Sequence, residues 1–270
     1  MRLPSTAWMI AMRERTKQQG AMSSIRTIIV SAVLVFVAAT AAQAQQRPPI
    51  GLYGSPTDAM IFYVARGPAG ACGPGCSDWI AAEGAVQWDS WKRLIAILDR
   101  QAGRKLPVVI HIWGASNLNV ATSMGRILRD HGLDAIAGAT EVEACAGKSE
   151  ADCFALKRPG GPLDAKVALP DAACDFACVL VLAGGVHRSL AEGAKVVLTG
   201  RSIRNRRAPN VSAEQRESLT VIFGEQYRKY LLEMGVEPAL VDLVDSLDAG
   251  ARPFVVPPAE VARLHIVTPP

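Results

Sequence analysis

Aromatic side chains are scarce, at 6% of the 270 residues, and charged ones make up only 20%, yet 50% of the chain is hydrophobic. That balance excludes a disordered tail and a collagen-like fibre, and it leaves material for one well-buried core or at most two small ones. An excess of one charge is missing from most of the chain as well. The formal net charge is +4, but residues 1–44 hold five basic residues (Arg2, Arg13, Arg15, Lys17, Arg26) against the single acid Glu14, leaving 24 of each sign beyond them. A neutral body gives no electrostatic footprint for nucleic acid, so none is expected as a partner. No H-E-x-x-H, Walker loop or dinucleotide glycine fingerprint is present. The sequence therefore points to no cofactor and no metal.

What is present begins with an export signal. From Met22 the chain reads MSSIRTIIVSAVLVFVAATAAQAQQ: a short polar start with Arg26, an apolar run from Ile28 to Ala39, then Ala42-Gln43-Ala44. This is the three-part layout of a secretory signal peptide, with cleavage expected after Ala44 and translation expected to start at Met22. The apolar run is shorter than the roughly 20 residues that span a bilayer. An uncleaved N-terminal anchor is the alternative. No later run is long enough to span, so the mature chain is expected in the periplasm or secreted medium.

Six cysteines, Cys72, Cys76, Cys145, Cys153, Cys174 and Cys178, all follow the expected cleavage site. In an exported chain an even count favours disulfides. Cys72-Gly-Pro-Gly-Cys76 can close on itself as a small loop. Cys174 and Cys178, if they share one helix, run side by side with poor disulfide geometry. They are expected instead to pair with Cys145 and Cys153 across the Gly/Pro-rich excursion between them. A zinc site is the alternative, but no Cys or His pair shows C-x2-C or H-x3-H spacing.

Residues 45–56 (QQRPPIGLYGSP) read as a linker, and residues 57–270 as the folded domain. Strands are expected at Met60–Val64, Trp79–Ala82, Leu106–Ile112, Leu133–Gly138 and Lys195–Thr199. Helices are expected over Trp88–Gln101, from Val120 through Leu128, over Cys174–Leu182, and from Ser212 to about Met234 with Leu219, Ile222, Phe223, Tyr227, Tyr230 and Leu231 on its core side. Two short helices near Pro238–Leu247 and Pro258–Leu264 finish the chain, and the basic stretch 201–211 reads as a solvated loop. Strands alternating with crossover helices predict an α/β fold with mostly parallel pairing.

The segments GPAGACGPGCSDWIAAEGAV, LPVVIHIWGASNLNVATSMGRILRDHGL, AACDFACVLVLAGGVHR, AKVVLT, YLLEMGVEPALVDLV and PPAEVARLHIVT cover most of residues 67–268. In content and order they resemble the Clp-peptidase/crotonase superfamily, in particular an exported bacterial branch of it. The resemblance implies a ClpP/crotonase-like fold of strand–helix units. It also implies where a serine-peptidase site would lie: a nucleophile, a base to take its proton, and two N–H donors aimed at the developing oxyanion. The oxyanion turn falls on Gly114-Ala115-Ser116, with Ala115 and Ala177 as the donor positions. The nucleophile position falls on Phe176, and the base position on Thr199.

Two of these positions cannot perform their role. Phe has no oxygen nucleophile, and Thr has no proton affinity near neutral pH. Ala115 also adds a β-carbon where the family's turn has Gly, and the acidic member is not placed. A relocated trio of Ser116 as nucleophile, His111 as base and Asp175 is the candidate replacement, although Ser in a strand-to-helix turn is commonly a cap. His187 is a turn residue with a lesser claim to catalysis, and His131 and His265 read as loop and helix-end residues.

The sequence thus favours an exported, catalytically inactive serine-peptidase homologue that binds a peptide or protein partner or assembles as a homo-oligomer. A hydrolase or acyl-thioester enzyme using a relocated or oxyanion-hole-only site is the alternative. The signal layout gives a direct test. The mature chain should begin near Gln45 by N-terminal sequencing and be released by osmotic shock, whereas recovery of the intact chain only from detergent-treated membranes would favour the anchor.

Overall fold

The computed structural model describes residues 59–168, 172–201, 212–248, 250 and 252–269. The expected signal segment, the 45–56 lead-in and all but Arg201 of the basic stretch lie outside the described residues. β1 (Ile61–Arg66) and β2 (Asp78–Glu83) form an antiparallel hairpin. Its connecting loop is closed by the Cys72–Cys76 disulfide, as expected, and its base by an Arg66–Asp78 ion pair at 3.0 Å. Two strand–helix units follow: α1 (Ser90–Arg100) leads to β3 (Val108–His111), and α2 (Leu118–Asp130) leads to β4 (Ala135–Ala137). β3 joins β2, and β4 joins β3, both in parallel.

The next stretch departs from the sequence-based outline. β5 (Ala139–Val142), a 3-10 turn (Glu143–Cys145), α3 (Glu150–Lys157) and β6 (Leu163–Ala168) form a return excursion in which β6 pairs antiparallel with β5 and parallel with β1. The chain continues through β7 (Ala173–Cys174), α4 (Phe176–Leu182) and β8 (Arg188–Leu190), which lies parallel to β4. The large sheet therefore runs β5-β6-β1-β2-β3-β4-β8. A small sheet places β9 (Lys195–Leu198) between β7 and β10 (Phe254–Val255). Three helices complete the chain: α5 (Ala213–Glu233), α6 (Ala239–Asp245) and α7 (Pro258–Arg263). The protein is α/β with a mostly parallel sheet, the class the sequence predicts.

The cysteines pair differently from expectation. Cys145 bonds Cys153, and Cys174 bonds Cys178. The reason is local: Cys174 sits in β7, and the chain turns at Asp175 before α4 begins at Phe176, so the two cysteines do not share a helix. Their Cα atoms are 5.1 Å apart, inside the range a disulfide bridges. The predicted helix over Cys174–Leu182 is shorter by its first two residues for the same reason. No helix among the described residues is long and apolar enough to cross a membrane.

Alternation along the strands sorts side chains onto two faces. Met60, Phe62, Val64, Ile80, Ala82, Val108 and Ile110 point into the main core with residues of α1, α2 and α4. Tyr63, Ala65, Trp79, Ala81 and Val109 line the opposite face, against Phe154 of α3 and Val142 of β5. There Trp79 Nε1 donates to Thr140 Oγ1 at 2.9 Å, which satisfies a fully buried indole. α5 keeps Tyr227, Tyr230 and Leu231 in the main core, as its spacing predicts, but Ile222 is 53% exposed together with Val221. The start of α5, Ala213–Ser218, is exposed throughout.

α2 approaches α4 closely because Gly125 has no side chain. A Cβ there would stand 1.8 Å from Tyr230 Oη and 2.8 Å from Leu180 O. Tyr230 Oη in turn donates to Leu180 O at 2.6 Å, and burial holds that phenol in its neutral form. Gly125→Ala should therefore force the helices apart and lower stability by about 2 kcal/mol or more, read from urea denaturation midpoints with the disulfides intact.

Candidate functional site

The N-terminus of α4 carries the positions to which the family resemblance points. Asp175 is the N-cap: its Oδ1 accepts from the Cys178 backbone N–H at 2.8 Å, and the Ala177 N–H also reaches the carboxylate. Burial raises the Asp175 carboxyl above its ordinary range, and these backbone donors oppose the shift. Phe176 is buried, 5% exposed, and its ring meets Tyr227 of α5 edge-on with centroids 5.9 Å apart. Tyr227 then stacks against Phe223 at 6.4 Å, has the Arg201 guanidinium over its ring at 5.4 Å, and donates to Asn119 Oδ1 at 3.1 Å. Burial pushes the Tyr227 phenol up to about 12. The surroundings of Phe176 are thus a packed aromatic cluster.

Thr199 follows β9 and is exposed, while its neighbour Leu198 belongs to the same buried cluster as Phe176. The turn after β3 contains Gly114, whose φ of 76° is left-handed; Ala115 is exposed and is not in that region, so its methyl fits the turn as built. Ser116 Oγ accepts from Val86 N at 3.0 Å, Asn117 N donates to Val86 O at 2.8 Å, and Gln87 Nε2 donates to Ala115 O at 3.2 Å. These bonds bolt the turn to the loop after β2. The cap of α2 is Asn117, whose side chain accepts from Val120 N, and not Ser116.

The imagined Ser116–His111–Asp175 trio is not assembled. His111 ends β3 on the sheet face shared with Glu83 and Tyr63, and its ring packs on Trp113 with centroids 4.8 Å apart. Phe176 belongs to the other face, the one that Ile110 enters, and Asp175 caps the helix that Phe176 begins. Residues one apart on a strand point to opposite sides, so the sheet itself separates this base from this acid. No imidazole or carboxylate is hydrogen-bonded to Ser116 among the described residues. His131 caps α2 and is exposed, and His265, with a φ of 52°, faces Glu237 at 3.4 Å.

Two polar groupings escaped the sequence. Behind His111, Glu83 accepts from Tyr63 Oη at 2.7 Å and from Lys157 Nζ at 2.6 Å, so α3 is pinned to the sheet by a mostly buried ion pair. Burial lowers His111 toward the neutral imidazole, and Glu83 partly opposes it. The second grouping is His187 with Asp134: Nδ1 and Oδ1 are 2.7 Å apart, and the His187 backbone N–H donates to the same oxygen at 3.2 Å. The parallel register that sets Ala135 opposite Arg188 brings these two together. No spacing rule within one segment could have found either pair.

No family model matches the chain, and no curated protein matches it. Among solved structures it is similar to two mutants of the 1510-N membrane-bound stomatin-specific protease. One is 12% identical, over 66% of this chain and 70% of that one. The other, in complex with a substrate peptide, is 10% identical, over 66% of each chain. Both superpositions have a TM-score of 0.39, too loose to assign a family.

The capping carboxylate sets the pH behaviour of this corner. A carboxyl raised in the folded state binds its proton more readily there than in the unfolded chain. Its contribution therefore favours the fold at low pH and is lost as pH rises from the unfolded value of about 3.9 through the raised folded one. Asp175→Asn keeps a capping oxygen and removes that titration. Urea denaturation should show the variant gaining stability relative to the wild type between pH 4 and pH 7.

Proposed function

We propose that this chain is an exported relative of the Clp-peptidase/crotonase superfamily whose serine-peptidase site is silent. Its role is then to bind a peptide or protein partner or to assemble with copies of itself. The observation that carries this reading is the buried ring of Phe176 at the position where the resemblance puts the nucleophile. An apolar ring packed on Tyr227 fills the space a serine and its substrate carbonyl would use, and it offers no lone pair for attack.

Two further facts support it. The helix start that carries Ala177, the expected oxyanion donor, is already capped by the Asp175 carboxyl through the Cys178 N–H, so an acceptor oxygen stands where an oxyanion would have to be held. That also disfavours the oxyanion-hole-only enzyme, whose thioester enolate would meet the same carboxylate. Thr199 supplies no base. Export is supported by the three disulfides, which suit an oxidising compartment. A fold that once held an extended chain can keep binding after its chemistry is lost.

The wild-type protein should leave fluorophosphonate probes unreacted and casein-derived peptides uncut. Phe176→Ser with Thr199→His should restore at most a trace of labelling and should lower stability by roughly 3 kcal/mol through loss of the ring. Robust wild-type labelling that disappears in Ser116→Ala would overturn the proposal.

A further inference from the structure

A sizeable cavity lies away from α4. About 1250 Å³ in volume, it opens at the N-terminal ends of the parallel strands, between the hairpin loop of Cys72 and Cys76, the starts of β3, β4 and β8, and the β9–β10 and α7 side. None of Ala115, Ser116, Asp175, Phe176, Ala177 or Thr199 lines it. Its wall is largely aliphatic, with Leu106, Ile136, Leu190, Val196, Val256 and Val261 contributing.

Its charge is one-sided. Two carboxylates reach the lining, and both are engaged: Asp78 with Arg66 at 3.0 Å and Arg104 at 2.5 Å, and Asp134 with His187. Lys105 and Lys195 also line the cavity, are exposed, and have no carboxylate within ion-pair distance among the described residues. Among the described residues, the buried Arg188 guanidinium, which shares the lining, bonds only carbonyls: Ile266 O, Met234 O, Gly235 O and His265 O. The cavity is apolar inside and cationic around its opening.

Size and strand placement decide what kind of molecule fits. A pocket for one small organic ligand runs from about 300 to 1,000 Å³, and this one is larger. β8 ends the order of the large sheet and β10 ends that of the small one, and residues of both line the same space; on β8 the Arg188 N–H and C=O are already taken by Thr268, so β10 is the edge on which an added strand would begin. Strands at sheet ends are the elements that take up an added strand, with backbone pairing for affinity and alternate side chains for specificity. We infer that this cavity binds an extended, apolar peptide segment carrying acidic residues, its carboxylates met by Lys105 and Lys195. This goes beyond the silent-site proposal and shares no residue with it.

The test uses the full exported chain with its disulfides formed, and a fluorescein-labelled octapeptide of alternating Val and Thr ending in two Asp. Fluorescence polarisation should show saturable binding that weakens with added salt. It should weaken at least tenfold in Lys105→Glu with Lys195→Glu, two exposed positions whose change leaves the core intact. Ser189→Trp, which projects into the cavity from β8, should abolish it in protein whose thermal melt is unchanged. The same peptide with two Lys in place of Asp should fail to bind. Absence of binding by the acidic peptide, binding indifferent to the lysine reversals, or a site that takes dodecanoate but not the peptide would each overturn the inference. The serine-probe result bears only on α4, so the two proposals fail separately.

Discussion

Two guanidinium groups, with no carboxylate partner among the described residues, hold the centre of this protein together. Arg129 donates to the carbonyls of Ala183, Gly184, Gly185 and Met234, and Arg188 to those of Met234, Gly235, His265 and Ile266. These are carbonyls that helix ends leave unpaired, at the finish of α4, of α5 and of α7. A buried cation on carbonyl oxygens matches the negative end of each helix dipole. Burial and the neighbouring Arg129 lower the Arg188 proton affinity, yet the carbonyl cage keeps its role as a donor intact. Through Met234 O, which both side chains reach, the C-terminal helices are fastened to the sheet at β8 and to α2.

That fastening explains why the α4 corner is so tightly filled. Gly184 packs against the Gly125 backbone, where a Cβ would meet Gly125 O at 2.0 Å. Tyr230 bonds Leu180, and Phe176 and Tyr227 close the other end of the same helix. Every residue of α4 is buried. A helix seven residues long with no solvent face has little freedom to admit a substrate beside it, and its first turn is already capped. Its seven buried residues serve as packing between α2, α5 and the sheet.

Much of the fold was legible because its strands and helices follow simple periods. The apolar run Leu106–Ile112 and the helical spacing of Trp91, Leu94, Ile95 and Leu98 placed β3 and α1 within a few residues. The 139–168 excursion was not legible: among the described residues β5 pairs only with β6, and β6 returns to β1, a long-range contact that no local spacing announces. The polar pairs Glu83–Lys157 and His187–Asp134 join residues 74 and 53 positions apart, the first brought together by the packing of α3 on the sheet and the second by strand register. The cysteines misled for a different reason. A helix that seemed to start at Cys174 starts two residues later, and that small offset turns an unfavourable pair into an available one.

Each of the three disulfides joins a cysteine to the very next one in sequence, across separations of 4, 8 and 4 residues. A chain that oxidises as it emerges, first residue first, meets each partner before any competing thiol has appeared. Correct pairing then follows from the order of arrival and needs no later shuffling. Loops this short also remove little entropy from the unfolded chain. The staples therefore secure the local shapes of the hairpin loop, the α3 turn and the α4 cap, and leave global cohesion to the apolar core and its arginine fastenings.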